Sequence, residues 1–358
     1  MSLDFLYNIG KFSAKHNANF LIKKGYKPRV TTYYCYGNTQ KVRMLCRILI
    51  SKYDWSNERV KRGFFNFFTT EVPNFPVQIF IDGKLVNKTY LTDSAGYIDE
   101  IIDYELEPGE HQISFSIFKK EYFEKLYVYP LNLKVGLISD IDDTIMISNV
   151  PQTFRAIYNQ LLSSPFNRKP VKGMSNLYNQ INDKYNGEAA FFYLSMSPWN
   201  IYSTIRKFIS SNGFPKGAYL LSNLMATKSK LSYSIVSHKY TQIKHLIEFF
   251  PNTKWILAGD DGQQDLNIYL WIVRSYSKHI KSIMIRTINS NENEVYKKIH
   301  SRVNINYEKT QVNVYFGDNG FDLSNKIFPN KPAAKKHFTQ IFLKKESKNN
   351  NENGNGEL

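Results

Sequence analysis

The chain has 358 residues, 42% of them hydrophobic and 15% aromatic, which is enough apolar material for a packed core and excludes an intrinsically disordered protein. Its 47 Lys and Arg against 31 Asp and Glu leave a net charge of +16, an excess that attracts phosphorylated substrates, anionic lipid head groups or nucleic acid without choosing among them. No apolar run approaches the ~18 residues of a membrane-spanning helix, and the length suits two domains.

Met1 to Leu6 has neither the basic region nor the continuous apolar stretch of a secretion signal, so a soluble, cytoplasmic protein is expected, with any membrane contact peripheral. Residues 1–27 predict a helical segment. Phe5, Leu6, Ile9 and Phe12 lie near helical spacing, and Lys11, Lys15, Lys23 and Lys24 follow. Residues 28–130 read as β structure. Tyr33 to Tyr36 and Val42 to Ile50 flank the turn-like Gly37-Asn38, and Val77 to Ile81 alternates before Asp82-Gly83, a hairpin signal. Arg59 to Phe68 reads as a short basic connection, Thr92 to Tyr97 as a turn of small sandwich modules, and Ile113 to Phe118 as a further strand, so a small β-sandwich-like accessory domain is expected. Cys35 and Cys46 sit off-centre about the Gly37-Asn38 turn and form no metal-ligand pair, which predicts buried free thiols.

From 131 to 290 the pattern changes to alternation. Apolar runs at Val135 to Ile138, Ala189 to Leu194, Ala218 to Leu221, Trp255 to Ala258 and Ile283 to Ile285 predict buried parallel strands. Trp199 to Ser211, Thr241 to Phe250 and Leu266 to Ser275 predict helices between them, giving an α/β fold with a parallel sheet and helices on both faces. An insertion at 149–186, with an apolar stripe of Phe154, Ile157, Tyr158, Leu161 and Leu162, either caps the active end of the sheet or packs on it. Residues 291–345 form a C-terminal extension with basic residues from Lys331 to Lys345 and a candidate strand at Val312 to Phe316, and 346–358 a disordered tail.

The chemistry concentrates at the ends of the predicted strands. Ser139-Asp140-Ile141-Asp142-Asp143-Thr144 delivers two carboxylates, two residues apart, at the carboxyl end of the first strand, where open α/β sheets bind ligands. A nucleophilic carboxylate beside a second able to donate a proton is the equipment of an aspartyl-phosphate enzyme. Phe191 to Ser195 ends the next strand in a hydroxyl, with Ser197 reading as a helix cap, and His238-Lys239 precedes the helix expected near Thr241. Gly259-Asp260-Asp261-Gly262-Gln263-Gln264-Asp265 follows the fourth strand with oxygen ligands for a hard cation.

In this order, Asp-x-Asp-x-Thr, Ser, Lys and Gly-Asp-x-x-x-x-Asp resemble the four-part signature of the haloacid dehalogenase (HAD) superfamily of phosphohydrolases. The wider phrases around Asp140, Tyr193 to Asn200 and Gly259 to Asp265, with Gly213 to Gly217, resemble its phosphatidate phosphatase catalytic-domain family, of the actin-patch-associated type. The preceding β module, including Glu71-Val72-Pro73, looks like that of bacterial-type relatives. The resemblance implies a HAD-like Rossmannoid domain and a Mg²⁺-dependent phosphatidate phosphatase that releases diacylglycerol and phosphate. It assigns Asp140 as nucleophile, Asp142 as acid and base, and Thr144 as support of their turn. It makes Ser195 and Lys239 phosphate-binding residues, and gives Mg²⁺ to Asp140, Asp142 (main-chain carbonyl), Asp260 and Asp265. Family members often carry a small residue at Asp261, which leaves the choice of Asp260 or Asp261 open. The alternatives are a phosphatase for another phosphomonoester, or a non-catalytic lipid- or polyanion-binding adaptor. Nucleic-acid binding rests on charge alone and is not expected.

Overall fold

The computed structural model describes residues 18–51, 69–147, 168–222, 231–262, 264–288 and 312–329. The expected connection at Arg59 to Phe68, the apolar stripe from Phe154 to Leu162, most of the N-terminal segment and the tail lie outside these residues.

The first module holds ten strands: β1 (Arg29–Thr32), β2 (Cys35–Asn38), β3 (Lys41–Ser51), β4 (Thr69–Glu71), β5 (Pro76–Ile81), β6 (Lys84–Leu85), β7 (Tyr90–Leu91), β8 (Tyr97–Asp103), β9 (Gly109–Ile117) and β10 (Lys120–Tyr129). They join in one hydrogen-bonded network of order β1-β3-β2-β10-β9-β5-β6, with β4 and β8 on β3 and β7 on β5. Every pairing is antiparallel except β2 with β10. The alternation of β5 buries Val77, Ile79 and Ile81, and the expected turn follows, with Asp82 and Gly83 both at positive φ. Strands β8 and β10 carry no clear sequence signal, because charged residues interrupt their apolar ones: most of these face water, while the Glu124 side chain is buried against Arg206 and Thr32. Cys35 and Cys46 are free and buried, and burial pushes the Cys35 thiol up to about 12, against a hydrogen bond with the main chain of Leu45.

The second sheet has six strands: β11 (Val135–Asp140), β12 (Ala190–Pro198), β13 (Ala218–Ser222), β14 (Lys254–Asp260), β15 (Ile280–Arg286) and β16 (Asn313–Gly317). All are parallel, in the order β13-β12-β11-β14-β15-β16. Numbered from β11, this is the doubly wound order 3-2-1-4-5-6, whose switch point lies between β11 and β14. The helices are α1 (Met174–Lys184), α2 (Tyr202–Ser211), α3 (Leu231–Phe249), α4 (Asp265–Tyr276) and α5 (Gly320–Ile327). Each of the central strands β11, β12 and β14 is buried almost throughout, which explains their unbroken apolar runs.

Two expectations are corrected, and one left open is decided for the described residues. Helix α3 begins at Leu231, not near Thr241, so Lys239 lies inside the helix, its side chain fully buried. The sheet runs past residue 290: β16 pairs with β15, its half-exposed residues giving only the weak pattern of an edge strand. Within the 149–186 segment, α1 packs on the sheet: Tyr178 stacks on Phe191 of β12, and α1 also meets α5 through Ser324 and Gln180.

Aromatic side chains join the two modules. Tyr36 and Tyr129 pack on Phe192 and Phe250, and the Asn38 amide donates to the Phe249 carbonyl at 2.8 Å. Each ring pair adds about 0.5–1.5 kcal/mol beyond its area burial.

Candidate active site

Strands β11 and β14 are neighbours at the switch point, so the residues at their carboxyl ends, Asp140 and Asp260, face each other across the crevice. Gly259 allows the next step. A Cβ there would lie 2.7 Å from Asp265 Cβ and Oδ2, so only glycine lets the start of α4 come this close to β14. Asp140, Asp260 and Asp265 are all buried, and each offers a carboxylate oxygen within 4.8 Å of the others. From α3, the Lys239 ammonium donates to Asp140 Oδ1 at 2.6 Å and to Asp265 Oδ1. Three carboxylates and one ammonium leave two negative charges, and an all-oxygen donor set of that charge fits a hard divalent cation.

Thr144 Oγ1 reaches Asp140 Oδ2 at 3.4 Å across the turn that follows β11. In that turn Asp143 takes a positive φ of 56°, its N–H donates to the Met146 carbonyl, and Arg286 from β15 donates to its carbonyl at 2.5 Å. The turn aims Asp142 away from the other carboxylates. Its Oδ2 accepts from Ser195 Oγ at 3.0 Å and from Ser197 Oγ at 3.3 Å, and its Oδ1 lies 3.8 Å from Arg168 Nη1. Ser195 and Ser197 share one face of β12 because strand side chains alternate, and they stand where its register with β13 shifts, a bulge of the kind that re-aims side chains. Ser197 therefore caps no helix; its N–H donates to Ser195 Oγ at 2.9 Å.

Of the two adjacent acids at the end of β14, Asp260 faces the cluster while Asp261 turns away and accepts from the Ile288 N–H at 2.8 Å. The Asp142 carboxylate is outside the three-carboxylate cluster. In this state Ser195 is bonded to Asp142, and Lys239 to Asp140 and Asp265. Sequence reading missed two residues. Ser197 was marked by its i, i+2 spacing from Ser195, whereas Arg168 carried no signal. It reaches the site because the Lys169 carbonyl and Val171 N–H pair with the main chain of Ile147 and Ile145.

Burial pushes Asp140 well above the usual carboxylate range; Lys239 opposes this, and Asp265, Asp260 and Asp142 add to it. Asp142 is raised by burial against the pull of Arg168 and the Ser195 hydrogen bond. Burial favours the neutral amine of Lys239, but Asp140 and Asp265 outweigh it and hold the ammonium. His238, next on α3, is lowered to about 4 by burial and by Lys239, against a hydrogen bond with the main chain of Leu220.

Two expected outcomes follow. Removing the cation beside Asp142, in Arg168→Met, raises the Asp142 pKa further. A step needing protonated Asp142 then persists to higher pH, while turnover falls about tenfold from lost orientation; a pH profile of kcat checks both. His238 is neutral in the fold and protonates at ordinary pH when unfolded. Its contribution is therefore complete above about pH 6.5 and lost as pH falls toward about 4, a difference of roughly 3 kcal/mol. In His238→Gln, urea unfolding should show a correspondingly flatter loss of stability over that window.

Residues 135–287 match the family described as phosphatidate phosphatase APP1, catalytic domain. Phosphatidate phosphatase APP1 of Saccharomyces cerevisiae is 28% identical over 260 residues, covering 69% of this chain and 43% of its own length. An uncharacterized protein of Schizosaccharomyces pombe is 26% identical over 225 residues, covering 60% of this chain and 36% of its own. The chain thus spans less than half the length of either relative. Among solved structures, a carbohydrate acetylesterase from Xanthomonas citri aligns with 73% of this chain and 69% of its own, at 8% identity and a TM-score of 0.29, too loose a likeness to carry an argument. The match to the family coincides with the sheet that gathers Asp140, Ser195, Lys239 and Asp260, and residues 135–287 are similar to the phosphatidate phosphatase APP1 catalytic domain.

Proposed function

We propose that the chain is a Mg²⁺-dependent phosphatidate phosphatase, with a HAD-like catalytic domain and a β-sandwich-like accessory domain, working through an aspartyl-phosphate. The observation that carries this reading is the gathering of Asp140, Asp142, Ser195, Lys239, Asp260 and Asp265 at one crevice from four separate stretches of chain.

In the first step an Asp140 carboxylate oxygen attacks phosphorus, the P–O ester bond breaks, and Asp142 gives its proton to the departing glycerol oxygen. In the second, Asp142 takes a proton from water, the water oxygen attacks phosphorus, and the bond to Asp140 breaks to release phosphate. The raised Asp142 supports its role as the acid. Lys239 holds Asp140 in position and, with Ser195 and Ser197, supplies donors to phosphoryl oxygens. Asp140, Asp260 and Asp265 would hold Mg²⁺, with the Asp142 carbonyl, and the ion supplies neutralisation of the phosphate charge. Access to a membrane-borne substrate is peripheral: among the described residues no helix is long and apolar enough to cross a membrane, and the charge of +16 favours an anionic surface.

Phosphate release from phosphatidate in mixed micelles, against a panel of soluble phosphomonoesters and with or without Mg²⁺, tests the reading. Preference for phosphatidate supports it. Preference for the soluble panel removes the lipid substrate and keeps the hydrolase, and no release from any ester leaves the binding adaptor.

A further inference from the structure

The mechanism above uses nothing from the β module, yet that module grips the chain just downstream of Ser195 and Ser197. Tyr33 packs its ring 4.6 Å from that of Trp199 and 5.1 Å from that of Tyr202. The Tyr34 N–H donates to the Tyr202 hydroxyl at 3.0 Å. Arg47 Nη1 donates to Asn200 Oδ1 at 3.1 Å. Arg47 is itself fixed from three sides: its Nε donates to the Ala95 carbonyl at 3.0 Å, its Nη2 to Glu71 at 3.0 Å, and its guanidinium lies 4.4 Å from the centre of the Tyr97 ring. The residue is only 6% exposed, so a costly buried cation is held on its own module and extends one arm to the other.

The segment it touches has little stiffness of its own. Ser195 to Ser197 lies in the bulge of β12, where ladder pairing is interrupted. A three-residue 3₁₀ turn, Trp199–Ile201, follows, and neither it nor α2 has a side-chain cap at its N-terminus. One end of residues 195–202 therefore carries the two hydroxyls that hold Asp142, and the other end is fixed by Tyr33, Tyr34 and Arg47. Where the hydroxyls stand depends on where those three residues hold Trp199, Asn200 and Tyr202.

We propose that the β module braces the catalytic centre and that Arg47 is a positioning residue, acting through Asn200 on Ser195 and Ser197 and so on Asp142. The proposal rests on the phosphatase reading for its kinetic consequence, and on the contacts alone for its mechanical one. A displacement of about 1 Å in such a shell can cost up to 10²-fold in rate.

The test uses the full chain with Mg²⁺ and a soluble aryl phosphate. Arg47→Met and Asn200→Ala should each lower kcat about tenfold or more with KM within about twofold, and Arg47→Lys should recover part of the loss. Combined with Ser197→Ala, Arg47→Met should add almost nothing, because both act on the orientation of Asp142. His111→Asn, in the exposed pair with Asp82, should leave kcat unchanged. Amide exchange gives a readout free of turnover: in Arg47→Met it should quicken about tenfold at 195–201 and stay unchanged at 135–140. If Arg47→Met does not fold, Asn200→Ala carries the same test, since it leaves Arg47 its bonds to Ala95 and Glu71. A folded variant with wild-type kcat and exchange, or full additivity with Ser197→Ala, overturns the brace. If the wild type cleaves no ester while exchange at 195–201 still follows Arg47, the brace stands and the phosphatase reading falls.

Discussion

Asp140→Asn should lose phosphatase turnover by about 10⁴-fold or more while keeping its fold. The amide oxygen cannot attack phosphorus as the carboxylate does, yet it fills the same volume and still accepts from Lys239. Stability should stay within ~1 kcal/mol of the wild type, or rise, in the absence of divalent cation. The substitution removes one of three crowded carboxylates from a buried site where burial and like charges already push Asp140 upward. Steady-state assays and urea unfolding with and without Mg²⁺ separate the two effects. Mg²⁺ should stabilise the variant less than the wild type, since a charged ligand is gone. Turnover surviving in a folded Asp140→Asn would sink the covalent mechanism.

Lys239→Met should be the most destabilising single change at the site, at about 3–5 kcal/mol, because it leaves Asp140 and Asp265 buried without their shared cation. Activity should fall with it, since the group that orients the Asp140 carboxylate is lost. The sign of the cation effect is diagnostic: with three buried carboxylates and no ammonium to offset them, Lys239→Met should gain more stability from Mg²⁺ than the wild type does. Thermal unfolding over a Mg²⁺ titration measures this. A folded variant with wild-type stability in the absence of the ion would mean that the three carboxylates are not held together as described.

Much of the parallel sheet is readable because burial on both faces turns a strand into an unbroken apolar run. Phe191 to Leu194 and Trp255 to Ala258 could hardly be anything else, and the residues that break those runs, Ser195 and Asp260, stand where ligands bind. The same logic fails where one face meets water. The adjacent charges Lys120-Glu121 and Glu124-Lys125 hide a ten-residue strand, and the edge strand Asn313–Gly317 gives only a faint signal. The first ten residues of α3 are not legible because Leu231 to Tyr240 lacks the clean apolar spacing of Ile243, Leu246, Ile247 and Phe250.

By itself the sequence determined the chemical inventory, Asp140, Asp142, Ser195, Lys239, Asp260 and Asp265, and the strand-end placement of all but Lys239, which lies inside α3. Tertiary structure alone decided what those groups face. It chose Asp260 over Asp261 through the main-chain bond to Ile288, aimed Asp142 at Ser195 and Ser197 rather than into the carboxylate cluster, and brought in Arg168 and Arg47 from far along the chain. The reason is physical. Strand and helix periods are short-range and leave their mark in neighbouring residues, whereas the direction of a side chain in a turn, and the partner it meets across a hundred residues, follow from how separate elements pack.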